Sequence, residues 1–183
     1  MAVLASSARA LWRRSFAGHP VRIGAAATAV AAAAAIAWYF GSPVFLTTYR
    51  DEAVPTVAVP GAPAAPPGAG VPVKTLASGE LGTVDSLHSG TGPVKLVEVG
   101  GRHFVRFENV AIQNGPDLHV YLSPDTRGRY ADATSLYLGS LKATNGSFNY
   151  EIPAGTDLSR YRSLVVWCRA FAVLFTWADL AAP

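Results

Sequence analysis

The chain has 183 residues, half of them hydrophobic, with 15 Lys and Arg against 12 Asp and Glu and a single cysteine. This length suits one ordinary domain plus appendages, and the hydrophobic share suggests a membrane segment beside a packed core. The formal charge of +3 sits in the first 52 residues, because Lys74 onward holds ten basic and ten acidic residues; the folded part therefore lacks the basic patch that nucleic acid requires, and a lone cysteine excludes an intramolecular disulfide.

Residues 1–22 contain Arg9, Arg13, Arg14 and Arg22 and no acid, and read as a basic cytosolic tail. Residues 23–46, IGAAATAVAAAAAIAWYFGSPVFL, carry no charge over 24 residues. About 20 residues at 1.5 Å each cross a hydrocarbon core of roughly 30 Å, so this run is expected to be a transmembrane signal-anchor. Arginines precede it while Asp51 and Glu52 follow it, which places the N-terminus in the cytosol and the rest outside as a single-pass protein. Trp38 and Tyr39 suit the far interface and Pro43 marks the helix end. A cleaved secretory signal is the rival reading and gives the same destination for the domain. Arg13-Arg14-Ser15-Phe16 is similar to a twin-arginine export pattern, and with no cysteine near residue 40 a lipoprotein anchor is excluded. Residues 47–73, with six prolines and three glycines from Ala53 on, read as an extended, semi-rigid spacer.

From 74 to 183, short β-branched and aromatic runs alternate with Gly, Pro, Asn and Asp clusters, and no stretch sustains a 3.6-residue period. The expectation is an all-β antiparallel sandwich of about eight strands, at 79–84, 94–99, 103–108, 118–122, 136–141, 147–152, 163–168 and 171–176. Gly100-Gly101 supplies the positive φ values of a tight hairpin turn, and Asn145-Gly146 is read as a second hairpin with Pro153 stopping its return strand. SLVVWC is apolar on both parities, with Leu164, Val166 and Cys168 on one face and Val165 and Trp167 on the other, as in a central strand covered on both sides. Arg169-Ala170 is expected to turn the chain into Phe171, Val173 and Phe175.

Several segments carry a resemblance to a known family. ENVAIQNGPDLHVYLS, LGSLKATNGSFNYEIPAGTDLSRYRSLVVWC and FAVLFTWADL resemble the DM13 domain, a small extracellular β domain of bacteria and animals, over residues 79–180. Gly115-Pro116-Asp117-Leu118 with Val120-Tyr121-Leu122-Ser123 is similar to its central pattern. Tyr150-x-Ile152-Pro153, Tyr161-x-Ser163 and Trp167-Cys168-x-x-Phe171 are similar to its C-terminal signature, and Gly79-x-Leu81 with His88 to its N-terminal one. The resemblance implies electron transfer, with the family cysteine as a redox thiol or as a ligand to a prosthetic group such as haem. Cys168 stands at that position. Together with the span, this implies a membrane-anchored bacterial member acting with an unidentified redox partner or extracytoplasmic protein.

A thiolate that ligates iron or is oxidised needs a lowered pKa, which a cation supplies. Arg169 is adjacent but points to the opposite face of a strand. The plain reading of Cys168 is a small hydrophobe in the core, and the sequence leaves both open. For a haem, His88 in the glycine-rich SLHSGTG loop is the preferred axial partner, with Trp167 and Asp117 as further cofactor contacts. His119, which shares its face with Tyr121, reads as an ordinary strand position, and His103 as a packed imidazole on the face of Val105 and Phe107. Asp117 in Gly-Pro-Asp also suits a turn. The three histidines lack metal-motif spacing, Pro124-Asp125-Thr126-Arg127-Gly128 lacks an EF-hand pattern, and no metal site is expected. Hydrolase, nucleotide-binding and covalent c-type haem motifs are absent. The alternative function is a non-catalytic interaction or adhesion module in which Cys168 only fills the core.

Overall fold

Alanine, the best helix former, dominates residues 25–37, and the computed structural model, which describes residues 20–45, 47–56 and 72–183, has helix α1 over Pro20–Phe45. Its stretch Pro20–Tyr39 is long and apolar enough to cross a membrane, a test that a signal sequence near the N-terminus also passes. Residues 1–19 of the expected tail, with Arg13-Arg14, and residues 57–71 of the expected spacer lie outside the described residues.

Alternation of apolar and polar residues builds the remainder into a two-sheet sandwich. Its strands are β1 (Tyr49–Asp51), β2 (Val73–Glu80), β3 (Gly90–Thr91), β4 (Pro93–Val99), β5 (Arg102–Ile112), β6 (Leu118–Ser123), β7 (Leu136–Ser140), β8 (Asn145–Ile152), β9 (Ser163–Cys168) and β10 (Val173–Asp179). The first sheet runs β1-β8-β5-β4-β2, with β3 also paired to β5, and the second runs β10-β9-β6-β7. The all-β sandwich is as expected, and β9 is a central strand. The inward parity of both sheets fills one core, with Val94, Val105, Phe107 and Phe148 from the first meeting Val120, Leu122, Leu164 and Val166 from the second. Phe107 stacks on Phe148 at 4.7 Å between ring centroids.

The Gly100-Gly101 turn joins β4 to β5 with φ of 56° and 78°, as its sequence demands. Asn145-Gly146 is not a hairpin. Residues 141–144 cross between the sheets, since β7 pairs with β6 while β8 pairs with β5 and β1. The buried Tyr150 phenol holds that crossover, accepting from the Lys142 amide at 2.8 Å and donating to the Ser140 carbonyl at 2.9 Å. Gly146 instead permits a close approach: at φ 108°, a Cβ there would lie 2.0 Å from the Arg50 carbonyl oxygen of β1.

Strand β1 is the second departure, because it lies within the segment read as spacer and pairs in parallel with β8. The Arg106 guanidinium, 8 % exposed, reaches the Glu52 and Ala53 carbonyls at 3.3 Å, and the Asn149 amide donates to the Glu52 carboxylate at 2.9 Å. Residues 49–53 are thus built into the sheet. The proline-rich run that follows joins β1 to β2, the opposite edges of one sheet. Two strands are displaced from their expected positions. β2 ends at Glu80 where a strand was expected to begin, and the turn at 169–172 uses four residues, with Ala172 at φ 51°, so β10 starts at Val173 and leaves Phe171 exposed.

Candidate functional site

Two buried serines explain why the second sheet has a covered outer face. Ser123 of β6 and Ser163 of β9 are register partners with no exposure. Their hydroxyls donate to the Arg129 carbonyl at 2.8 Å and the Asp125 carbonyl at 2.7 Å. These bonds fold the β6–β7 loop back over the strands and lay Tyr130 on the sheet. Tyr130 stacks on Trp167 with centroids 4.7 Å apart and planes at 29°, and meets Tyr121 at the same distance. Tyr121 lies 5.3 Å from Tyr137 of β7, and Tyr137 lies 5.6 Å from His119. One run of rings therefore crosses the face from β9 to β7. Each contact of this kind contributes about 0.5–1.5 kcal/mol beyond buried area.

Charged groups frame it. The Arg169 guanidinium carbon sits 4.3 Å from the Tyr137 ring centroid, and its Nε donates to the Tyr121 hydroxyl at 2.6 Å. The Tyr130 hydroxyl donates to Asp132 at 2.8 Å. Burial, with hydrogen bonds to Tyr121 and Asp132, holds the Tyr130 phenol above its ordinary value. At the far end His119, 7 % exposed, places Nε2 2.7 Å from the Asp117 carboxylate and Nδ1 3.0 Å from the Tyr137 hydroxyl.

Of the four residues singled out in the sequence, two reach this face: Trp167 is the cross-strand partner of His119, and Asp117 is bonded to His119. Cys168 points the other way. It has no exposed surface and packs in the core beside Leu118 and Val166, while Arg169 is turned onto the tyrosines. His88 is elsewhere, with Nδ1 2.8 Å from the Asp85 carboxylate and its ring edge-on to Phe175 at 4.7 Å. This bond, with backbone amides of Leu87 and His88, holds the Asp85 carboxyl below its usual range.

These surroundings do not fit a haem on Cys168. A thiolate ligand needs an opening the size of the macrocycle on its own side, and the Cys168 side is filled by core side chains. Neither a cleft of about 390 Å³ edged by Thr48, Asp117 and Leu141 nor one of about 420 Å³ edged by Thr47, Thr91 and Asn145 includes Cys168, His88 or Trp167. Among the described residues no group of three His, Cys, Asp or Glu is placed to hold a metal ion.

The sequence pattern puts Tyr121 on the His119 face and Arg169 on the face opposite Cys168, but does not mark Tyr130 or Tyr137. The available signal was parity: His119 and Tyr121 alternate along β6 with Asp117 just before it, as Val165 and Trp167 do along β9 with Arg169 just after it. Tyr130 had no such signal, because its place depends on a loop pinned by two serines.

Comparison with curated proteins and with solved structures finds no match for this chain. A family model described as electron transfer DM13 matches residues 83–180. That match runs from the loop after β2 through β10 and contains Cys168, His88 and every ring of the outer face, whereas β1 and α1 precede it. With more than half of its length matched, this chain belongs to the electron transfer DM13 family.

Proposed function

We propose that this protein is a membrane-tethered, extracytoplasmic electron-transfer domain whose redox-active groups are the aromatic rings on the outer face of the second sheet. The observation that carries the reading is the unbroken ring contact from Trp167 through Tyr130 and Tyr121 to Tyr137. Tryptophan and tyrosine side chains can be oxidised by one electron, and contact between successive rings gives the electronic overlap that stepwise transfer needs. Family membership supports the redox class. The uncharged run at residues 23–46, with arginines before it and Asp51 and Glu52 after it, supports a cytosolic N-terminus and a domain outside. The redox partner is a one-electron carrier that meets the exposed Tyr137 end.

A second reading is an interaction or adhesion module in which Cys168 is a core residue only. The complete burial of Cys168 in the apolar cluster favours it. One experiment separates the readings. The full chain in detergent is titrated with haemin, and its oxidation by a photogenerated outer-sphere ruthenium(III) complex is followed in wild type, Cys168→Ala and Trp167→Leu. The relay predicts no cysteine-dependent Soret band, unchanged oxidation in Cys168→Ala and altered radical distribution in Trp167→Leu. A Soret band or oxidation lost with the thiol returns the function to Cys168. Protein radicals indifferent to both substitutions favour the interaction module.

A further inference from the structure

Resting on the electron-transfer reading, we propose that Tyr137, with His119 and Asp117, is a proton-coupled redox site, exchanging one electron with an external one-electron carrier and its proton with His119. Geometry fixes the direction of the proton. A carboxylate only accepts, so the 2.7 Å contact requires His119 Nε2 to carry hydrogen and donate to Asp117. In the neutral ring Nδ1 is then a bare lone pair, 3.0 Å from the Tyr137 hydroxyl, and accepts its proton. Asp117 is a positioning residue: it selects the tautomer and will pair with the imidazolium that forms, as second-shell carboxylates do for histidines elsewhere.

The rest of the surroundings single out Tyr137 among the three tyrosines. It is 44 % exposed, whereas Tyr121 is 1 % exposed and its hydroxyl takes a hydrogen bond from Arg169. Tyr130 has a carboxylate rather than an imidazole beside its hydroxyl, and a carboxylate is the weaker base. Arg169 places a fixed positive charge 4.3 Å from the Tyr137 ring centre. Electron loss without proton loss would set a radical cation against that charge, so the guanidinium disfavours the uncoupled route. The step balances. Tyr137 gives one electron to the carrier, which is reduced by one, and its O–H bond breaks as an N–H bond forms at His119 Nδ1. The products are a neutral phenoxyl radical and an imidazolium facing Asp117; return of the electron sends the proton back.

The test uses the full chain in detergent with the ruthenium(III) oxidant, following tyrosyl radical by electron paramagnetic resonance and transient absorption in light and heavy water. Wild type is expected to form a tyrosyl radical with a solvent deuterium isotope effect, and Tyr137→Phe to lose that component. Asp117→Asn keeps the tyrosine and its exposure but removes the carboxylate that faces the imidazolium, and its amide can donate to Nε2 as well as accept from it, so the proton is no longer held off Nδ1. Its radical-formation rate should fall on the order of a hundredfold, the low end of what a positioned proton acceptor contributes, with the isotope effect abolished. His119→Asn should match it, with the Asp117 variant as the safeguard if loss of the buried ring unfolds the protein. Equal rates and isotope effects in wild type, Tyr137→Phe and Asp117→Asn overturn the proposal. Radical on Tyr130 or Trp167 with no effect of Tyr137→Phe overturns this site alone and leaves the relay standing, whereas no array radical in any variant removes the relay as well.

Discussion

Substitution of Cys168 separates a packing role from a chemical one. Its side chain has no exposed surface and lies in the apolar core. Cys168→Ala removes one buried heavy atom, costing about 1 kcal/mol of transfer free energy, and a residual void of roughly 25 Å³ adds about 0.6 kcal/mol, so the total is about 1.5 kcal/mol. Cys168→Ser conserves volume but inserts a hydroxyl among Leu118, Val166 and the other core side chains. An unmet hydroxyl costs about 1–3 kcal/mol beyond the lost sulfur, so the predicted stability order is Cys, then Ala, then Ser. Urea unfolding of the full chain, followed by tryptophan fluorescence, reads the order directly. In a thermal scan each kcal/mol corresponds to about 3–6 °C for a domain of this size. The thiol should also react with an aromatic disulfide reagent only as fast as the core opens. A serine variant at least as stable as the alanine one, or a native thiol that reacts immediately, would refute this packing argument.

Gly146→Ala sets a Cβ 2.0 Å from the Arg50 carbonyl oxygen at φ 108°, which should cost about 2–4 kcal/mol. It should also release β1, seen as lost hydrogen-exchange protection at the Glu52 amide that now bonds Ser147. Gly101→Ala, at φ 78° with open space around it, should cost only about 1 kcal/mol; equal costs would contradict the close-approach role of Gly146. Burial alone would raise the Glu52 carboxyl, but the Asn149 amide, Lys142 and Arg50 together hold it below its ordinary 4.5. A depressed carboxyl stabilises fully above that ordinary value and loses its contribution as pH falls through the folded one. Wild type should therefore exceed Glu52→Gln by about 1 kcal/mol near neutrality and converge with it in acid, and parallel pH profiles would count against the bond network. Ser163→Ala removes the 2.7 Å bond to Asp125, which should cost about 1 kcal/mol and increase Trp167 fluorescence mobility as Tyr130 loosens; an unchanged Trp167 anisotropy would disconnect the loop from the stack.

The sandwich, the central β9 strand and the Gly100-Gly101 turn were legible because each is specified within a few residues by period-2 patterning or by positive φ. Asn145-Gly146 misled for a physical reason. The dipeptide reports only that positive φ is available, and here the glycine admits a neighbouring backbone from nearly a hundred residues earlier. Likewise, Tyr49–Asp51 is too short and polar to announce a strand, and its pairing depends on Glu52 and Arg106 finding each other's surroundings across the fold. At the candidate site, parity along β6 and β9 foretold that Cys168 and Trp167 face opposite ways. What parity could not supply was the loop bearing Tyr130 or the contact of His119 with Tyr137, both products of long-range pairing.

The relay itself is tested most directly by pulse radiolysis of the full chain with azidyl radicals, which oxidise tryptophan, comparing wild type with Tyr121→Phe. Phenylalanine keeps the ring volume of this 1 % exposed side chain but removes the oxidisable phenol between Tyr130 and Tyr137. Decay of the Trp167 radical should be matched in wild type by the rise of a Tyr137 radical that disappears in Tyr137→Phe. In Tyr121→Phe the Tyr137 signal should no longer form at the expense of Trp167. Identical transfer kinetics in wild type and Tyr121→Phe would contradict an electron path along this face.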